Sequence, residues 1–273
     1  MKNIDYRVWF RTFSLVNKIF QENGIDHVFI KMLLNPFHMR DVDVLIPKLS
    51  DEKLAIELLK KAGFRPYRAG RLLNPWKIIC EGEHISHLSV DIHPTAEWNR
   101  TIVGDGVEIA ARKIVAEVGK TKAFLPAPED SFYLIATHAF YQHMTISRPE
   151  VQNGITLLST PNFSWDLLRG VAERYGTAES IYAFLLAINL ERPGLVGKSI
   201  LNAFSRGSPG ALVGRWFENT EKKFPLIVPK WLGCVFPSYN HTKTLIGKVT
   251  PKDLVFDFLS HYMRFVGERG ALV

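Results

Sequence analysis

The stretch Arg40-Asp41-Val42-Asp43-Val44-Leu45-Ile46-Pro47 decides how this chain is read. It sets two carboxylates one residue apart at the start of an apolar run. The run is rich in β-branched and aliphatic residues and stops at Pro47, so it predicts a strand from Val42 to Ile46. Alternate residues of a strand share a face, which groups Asp41 with Asp43 and turns Val42 and Val44 toward a core. Like charges on one face repel, so the pair needs a partner of opposite sign.

A third carboxylate, Asp91, lies in Ser89-Val90-Asp91-Ile92-His93 with the same alternation. If this second strand pairs with the first, three carboxylates converge. Such a set suits Mg²⁺ (or Mn²⁺), a hard cation that takes a few carboxylate oxygens together with substrate phosphates. Two such ions about 3.5–4 Å apart clamp the attacking and leaving oxygens of a phosphoryl displacement. The competing reading is a solvated acidic face on a half-exposed strand. His93 shares the face of Asp91 and reads either as a partner to a ligand or as a half-buried histidine.

Outward from this pair, residues 4 to 22 predict an amphipathic helix. Trp9, Phe13, Val16 and Phe20 recur at helical spacing, and Asn23-Gly24 is a stop. His27 to Lys31 reads as a first strand. Ser50 reads as the N-cap of a helix with Leu54, Leu58, Leu59 and Ala62 on its buried face, closed by Gly63. Trp76 to Cys80 and Leu88 to His93 read as further strands. The fold class is therefore α+β, a small mixed sheet with flanking helices, followed by a helical domain. The boundary is placed at Lys122 to Pro128, giving domains 1–126 and 127–273. Helices are predicted over Glu129 to Met144, Trp165 to Tyr175, Ala178 to Leu190 and Asp253 to Val266.

The bulk numbers fit a sizeable core. The chain has 273 residues, 47% hydrophobic and 22% charged, and its mean hydropathy is zero. Ile181 to Leu190 is too short to cross a bilayer and reads as a core helix. The opening MKNIDYRVWF has charge inside the would-be apolar region and does not read as a signal peptide. Cys80 and Cys234 form no disulfide framework, so a cytoplasmic protein with free thiols is the expectation. A net charge of +7 and a pI near 9.3 favour an anionic substrate or a polyanion such as RNA.

Other groupings carry less. Cys80, His84, His87 and His93 cluster in sequence but match no zinc spacing. His138 and His143 lie five apart on a predicted α-helix and so do not share a face closely. Arg206-Gly207-Ser208-Pro209-Gly210 reads as a turn. Lysines and aromatics interleave from Lys222 to Lys248, either to contact RNA or as a packed segment with solvated lysines.

At the acidic residues the sequence resembles the nucleotidyltransferase superfamily of the polymerase-β type, in its poorly characterised bacterial and archaeal group. Phe29-Ile30-Lys31, Arg40, Asp41-Val42-Asp43-Val44-Leu45-Ile46 and Val90-Asp91-Ile92-His93 stand where that group has Leu-Lys-Gly, an Arg, Asp-x-Asp-Leu-Leu-Val and Asp-(Leu/Ile)-His. Pro128-Glu129-Asp130, His138 and Trp165-Asp166 match later elements, so the resemblance covers about residues 5 to 190. It implies that Asp41, Asp43 and Asp91 hold metal, that Asp91 is the base for an incoming hydroxyl, and that Lys31 and Arg40 meet the triphosphate. Met32-Leu33 departs from the Gly-Ser or Gly-Gly that elsewhere lets the backbone approach phosphate. The expectation is a Mg²⁺-dependent transfer of a nucleoside monophosphate from an NTP to RNA, protein or a small molecule. A non-catalytic binding module on the same fold and a metal-dependent phosphohydrolase stay open beside it.

Overall fold

The computed structural model describes residues 6–32, 41–68, 77–82, 88–98, 101–205, 210–218 and 224–228. The chain divides into two compact units. One is Met1–Glu97 with Gly104–Ser131, and the other is Trp98–Val103 with Phe132–Val273.

In the first unit, α1 spans Tyr6–Glu22 and buries Trp9, Phe13, Val16 and Phe20, the stripe its spacing predicts. It stops where Gly24 takes the left-handed backbone (φ 65) and the Ile25 N–H returns to the Phe20 carbonyl. Five strands then form one mixed sheet: β1 (Val28–Phe29), β2 (Asp41–Leu45), β3 (Phe64–Arg68), β4 (Ile78–Gly82) and β5 (Ser89–His93). Their order is β1-β2-β5-β4-β3. The β2–β5 contact is parallel, and the other neighbours are antiparallel.

Between β2 and β3 runs α2 (Leu49–Lys61). Its N-cap is Lys48 rather than Ser50, whose hydroxyl instead donates to Asp51 one residue on. Leu54, expected inside, is exposed; Ala55 and Leu59 are the buried pair. α1 and α2 supply a core with Val42, Val44, Ile78, Cys80, Val90 and Ile92. Every one of those strand residues has the parity opposite to Asp43 and Asp91. The helices therefore cover one face of the sheet, and the carboxylates point to the other.

The stretch from 96 to 125 was not legible as strands. A short pair, β6 (Ala96–Trp98) and β7 (Thr101–Gly104), leads to the brief helix α3 (Gly106–Ala111), capped by Asp105 accepting from the Val107 N–H. Position 106 has no room for a side chain, because a Cβ there would lie 2.3 Å from the Pro94 carbonyl oxygen. A ribbon of β8 (Ile114–Val118) and β9 (Thr121–Leu125) follows. Asn17 and Gln21 of α1 both donate to the Lys122 carbonyl and tie the ribbon down. The segment read as a domain boundary thus begins inside β9.

α4 (Pro128–Thr137) runs into a π-helical turn, His138–His143, and then the two-residue strand β10 (Thr145–Ile146), which pairs with β11 (Leu226–Ile227). α5 (Arg148–Leu158), α6 (Trp165–Arg174), α7 (Ala178–Glu191), α8 (Lys198–Ser205) and α9 (Gly210–Glu218) complete the described part of the second unit. α5 opens on a capping box between Ser147 and Glu150, and the Ser164 hydroxyl caps α6 by accepting from the Leu167 N–H. α7 is apolar nearly all round and buries Ile181, Ala183, Phe184, Leu185, Ala187 and Ile188. Phe132 meets Phe163 and Phe184 edge-on at 5.8 and 5.3 Å. Among the described residues no helix is long and apolar enough to cross a membrane. The turn expected at 206–210, the interleaved segment from 222 and the final helix expected at 253–266 lie wholly or largely outside the described residues.

Candidate functional site

The site is assembled by register. Asp41 pairs with Ser89, Asp43 with Asp91, and Leu45 with His93 across the parallel β2–β5 contact. Asp43 and Asp91 are therefore side by side on one face, each deeply buried, and His93 follows on that face two residues beyond Asp91. Asp41 is half-buried at the edge of the group. The indole N–H of Trp9 donates to the Asp41 carbonyl at 3.3 Å, fixing the start of β2 from the helical side.

Three positive or proton-donating groups answer the carboxylates. Lys31 Nζ lies 2.6 Å from Asp43 Oδ1. His93 Nε2 lies 3.0 Å from the same oxygen. Lys77 is ion-paired with Asp91 Oδ2. The Asp43 carboxylate only accepts, so His93 carries a proton on Nε2 and donates it. Beyond β1, the Ile30 N–H bonds the Asp43 carbonyl, and Lys31 follows with a left-handed backbone (φ 58).

Burial disfavours an ionised Asp43. Lys31, the hydrogen bond from His93, and Lys77 together outweigh burial and hold its carboxyl well below the usual range. Asp41 goes the other way. Burial first, then the charge of Asp43, push its carboxyl up to about 8 against the pull of Lys31, while Asp91 adds to the rise. Burial also lowers the His93 imidazole, which Asp43 only partly offsets, so His93 is neutral near pH 7. For Lys77 the burial penalty is overcome by Asp43 and Asp91, and its ammonium is held more firmly than usual. One sheet face thus carries an Asp43 carboxyl held toward its ionised form, an Asp41 carboxyl held toward its protonated form and a firmly held Lys77 ammonium.

Does this set fit a hard divalent cation? One atom says that it does. Among the described residues Asp91 Oδ1 is buried with no hydrogen-bond partner, a costly state for a carboxylate oxygen. Donor atoms of Asp43, Asp91 and His93 also lie within 4.8 Å of one another.

Of the expected site residues, Asp41, Asp43, Asp91, Lys31 and His93 are brought together. Arg40 and Leu33 lie outside the described residues. Met32 is partly buried and packs against the sheet core. Lys77 was missed. Its signal was parity: Ile79 pairs with Asp91 across the antiparallel β4–β5 contact, and Lys77, two residues earlier, shares that face. The grouping of Cys80 with His93 does not hold, because Cys80 points into the core and His93 to the opposite face. His84 and His87 lie outside the described residues.

No family model matches the chain, and no curated protein or solved structure matches it either.

Proposed function

We propose that this protein is a Mg²⁺-dependent nucleotidyltransferase. The observation that carries the reading is the parallel register of Asp43 with Asp91, which puts two buried carboxylates and the edge carboxylate of Asp41 on one sheet face. Asp41, Asp43 and Asp91 would hold the metal, which when bound neutralises these charges and polarises phosphoryl oxygens. Asp91 Oδ1, the oxygen without a partner among the described residues, would accept the proton of an acceptor hydroxyl. The hydroxyl oxygen then bonds to the α-phosphorus of an NTP, the bond to the β-phosphate bridge breaks, and pyrophosphate leaves. Lys31 and Lys77 supply positive charge beside the phosphates, and His93 holds Asp43 in one orientation. A nucleotidyltransferase-like first domain and a helical second domain belong to the same proposal. The net charge of +7 favours RNA among the acceptors.

A second reading has one observation behind it. Lys31 and Lys77 already neutralise Asp43 and Asp91, which suits a non-catalytic binding module. Label transfer separates the readings. The protein and an Asp43→Asn variant are incubated with α-labelled NTPs, Mg²⁺, and cellular RNA and protein. Label on an acceptor, absent with the variant, is the expected result. Label released as free nucleotide would make the protein a phosphohydrolase. No transfer and no metal-dependent NTP binding would leave the binding module.

A further inference from the structure

A second cluster of side chains of metal-ligating type lies in the other unit. His138 and His143 begin and end the π-helical turn. On an α-helix, residues five apart diverge. A π-helix takes more residues per turn and closes i→i+5 bonds, so positions five apart stack. The Met144 N–H returns to the Ala139 carbonyl in that pattern, and Met144 itself is left-handed (φ 51). The result is a pair of imidazoles with centroids 4.2 Å apart. The expectation that these two histidines diverge is overturned by this one wider turn.

Glu150 completes the group from the first turn of α5. Its Oε2 accepts from the Ser147 backbone N–H at 2.7 Å and from the Ser147 hydroxyl at 2.6 Å. That fixes the carboxylate and aims Oε1 at His143 Nδ1, 3.5 Å away. His138 is buried against Trp98, whose ring it meets edge-on at 4.8 Å. His143 is exposed. One donor atom from each of His138, His143 and Glu150 lies within 4.8 Å of the others.

We propose that His138, His143 and Glu150 form a site for a divalent transition-metal ion, Zn²⁺ foremost, with its fourth position open to water or a small anion. Two imidazoles and one carboxylate are the donors Zn²⁺ takes, whereas Mg²⁺ favours an all-oxygen set. Bonds of about 2.0–2.1 Å in a tetrahedron would bring the donors to roughly 3.4 Å apart. The exposed His143 has the freedom to close that gap, while His138 and Glu150 are held. The Ser147 bonds to Glu150 are the kind of outer support that orients a metal-binding carboxylate.

The test uses the full chain, stripped with chelator and titrated with Co²⁺ and Zn²⁺, beside His143→Gln, Glu150→Gln and Asp43→Asn. His143 is on the surface, so its variant folds, and Gln at position 150 keeps the capping box. One equivalent of Co²⁺ is expected to give the visible absorption of a four-coordinate ion, displaced by Zn²⁺. The His143 and Glu150 variants should bind at least about tenfold more weakly. The Asp43 variant should bind as the parent does, which separates this site from the acidic one. No stoichiometric binding, equal binding by the His143 variant, or loss in the Asp43 variant alone would each overturn the proposal.

Discussion

Lys31 Nζ stands 2.6 Å from Asp43 Oδ1, and Lys31 reaches that oxygen from a left-handed backbone with φ 58. The two facts belong together. A residue with a Cβ spends about 1–2 kcal/mol to sit in that region, and it persists only where its surroundings fix it. Here a buried ion pair does so.

Lys31→Ala should therefore lose about 3–5 kcal/mol of stability, because Asp43 stays buried with less compensating charge. Lys31→Gly also loses the ammonium but relieves the backbone, so it should be more stable than the alanine variant by about 1 kcal/mol. Urea unfolding of the three proteins reads this order directly. An alanine variant as stable as the glycine variant would show that the left-handed backbone stores no strain.

Lys77 was not legible as a site residue, yet it is half-buried and ion-paired with the buried Asp91. Lys77→Met should cost about 3–5 kcal/mol, by the same logic of an uncompensated buried charge. Millimolar Mg²⁺ should recover more of the melting temperature in this variant than in the parent, since the cation then replaces the missing ammonium. Equal Mg²⁺ shifts in both proteins would place cation binding elsewhere.

The pH dependence of Asp41 has a definite sign. Its folded-state carboxyl lies at about 8, above its unfolded value near 4. The folded protein keeps a proton that the unfolded chain releases, so this contribution is fully present below about pH 4 and lost as pH rises through about 8. Asp41→Asn removes that dependence. The stability difference between parent and variant, measured by denaturant melts across this window, should shift steadily against the parent as pH rises. A difference that stays constant would mean that Asp41 ionises normally.

Cys80 is buried in the sheet core, and burial, then the charge of Asp91, push its thiol up to about 12. The thiolate is the reactive form, so native Cys80 should resist alkylation at pH 8 and react fully once the protein is unfolded. Peptide mapping after brief iodoacetamide treatment distinguishes it from Cys234. Rapid native labelling of the Cys80 peptide would contradict the packing of β4.

Much of the first unit was written in local pattern. The stripe of Trp9, Phe13, Val16 and Phe20 marks α1, and the alternation through Asp41–Leu45 and Ser89–His93 marks β2 and β5 and sorts their faces. Those signals are legible because helix and strand periods act over a few residues. The ribbon of β8 and β9 was not legible, since Val115 and Ile114 remain exposed and its strands lack a clean alternation. Ser50 looked like a cap, but the helix begins one residue before it, at Leu49.

The sequence by itself determined that Asp41 and Asp43 share a face and that Asp91 and His93 share another, because strand parity is a property of the local backbone. Only the tertiary structure decided that the two faces are the same one, that Asp43 is level with Asp91, and that Lys77 joins them. Register is set by pairing between segments nearly fifty residues apart, through side chains packed across the whole sheet. The wider π turn that stacks His138 on His143 is a second such case. A single change in hydrogen-bond spacing, not a change in residue type, moves two histidines from diverging positions to neighbouring ones.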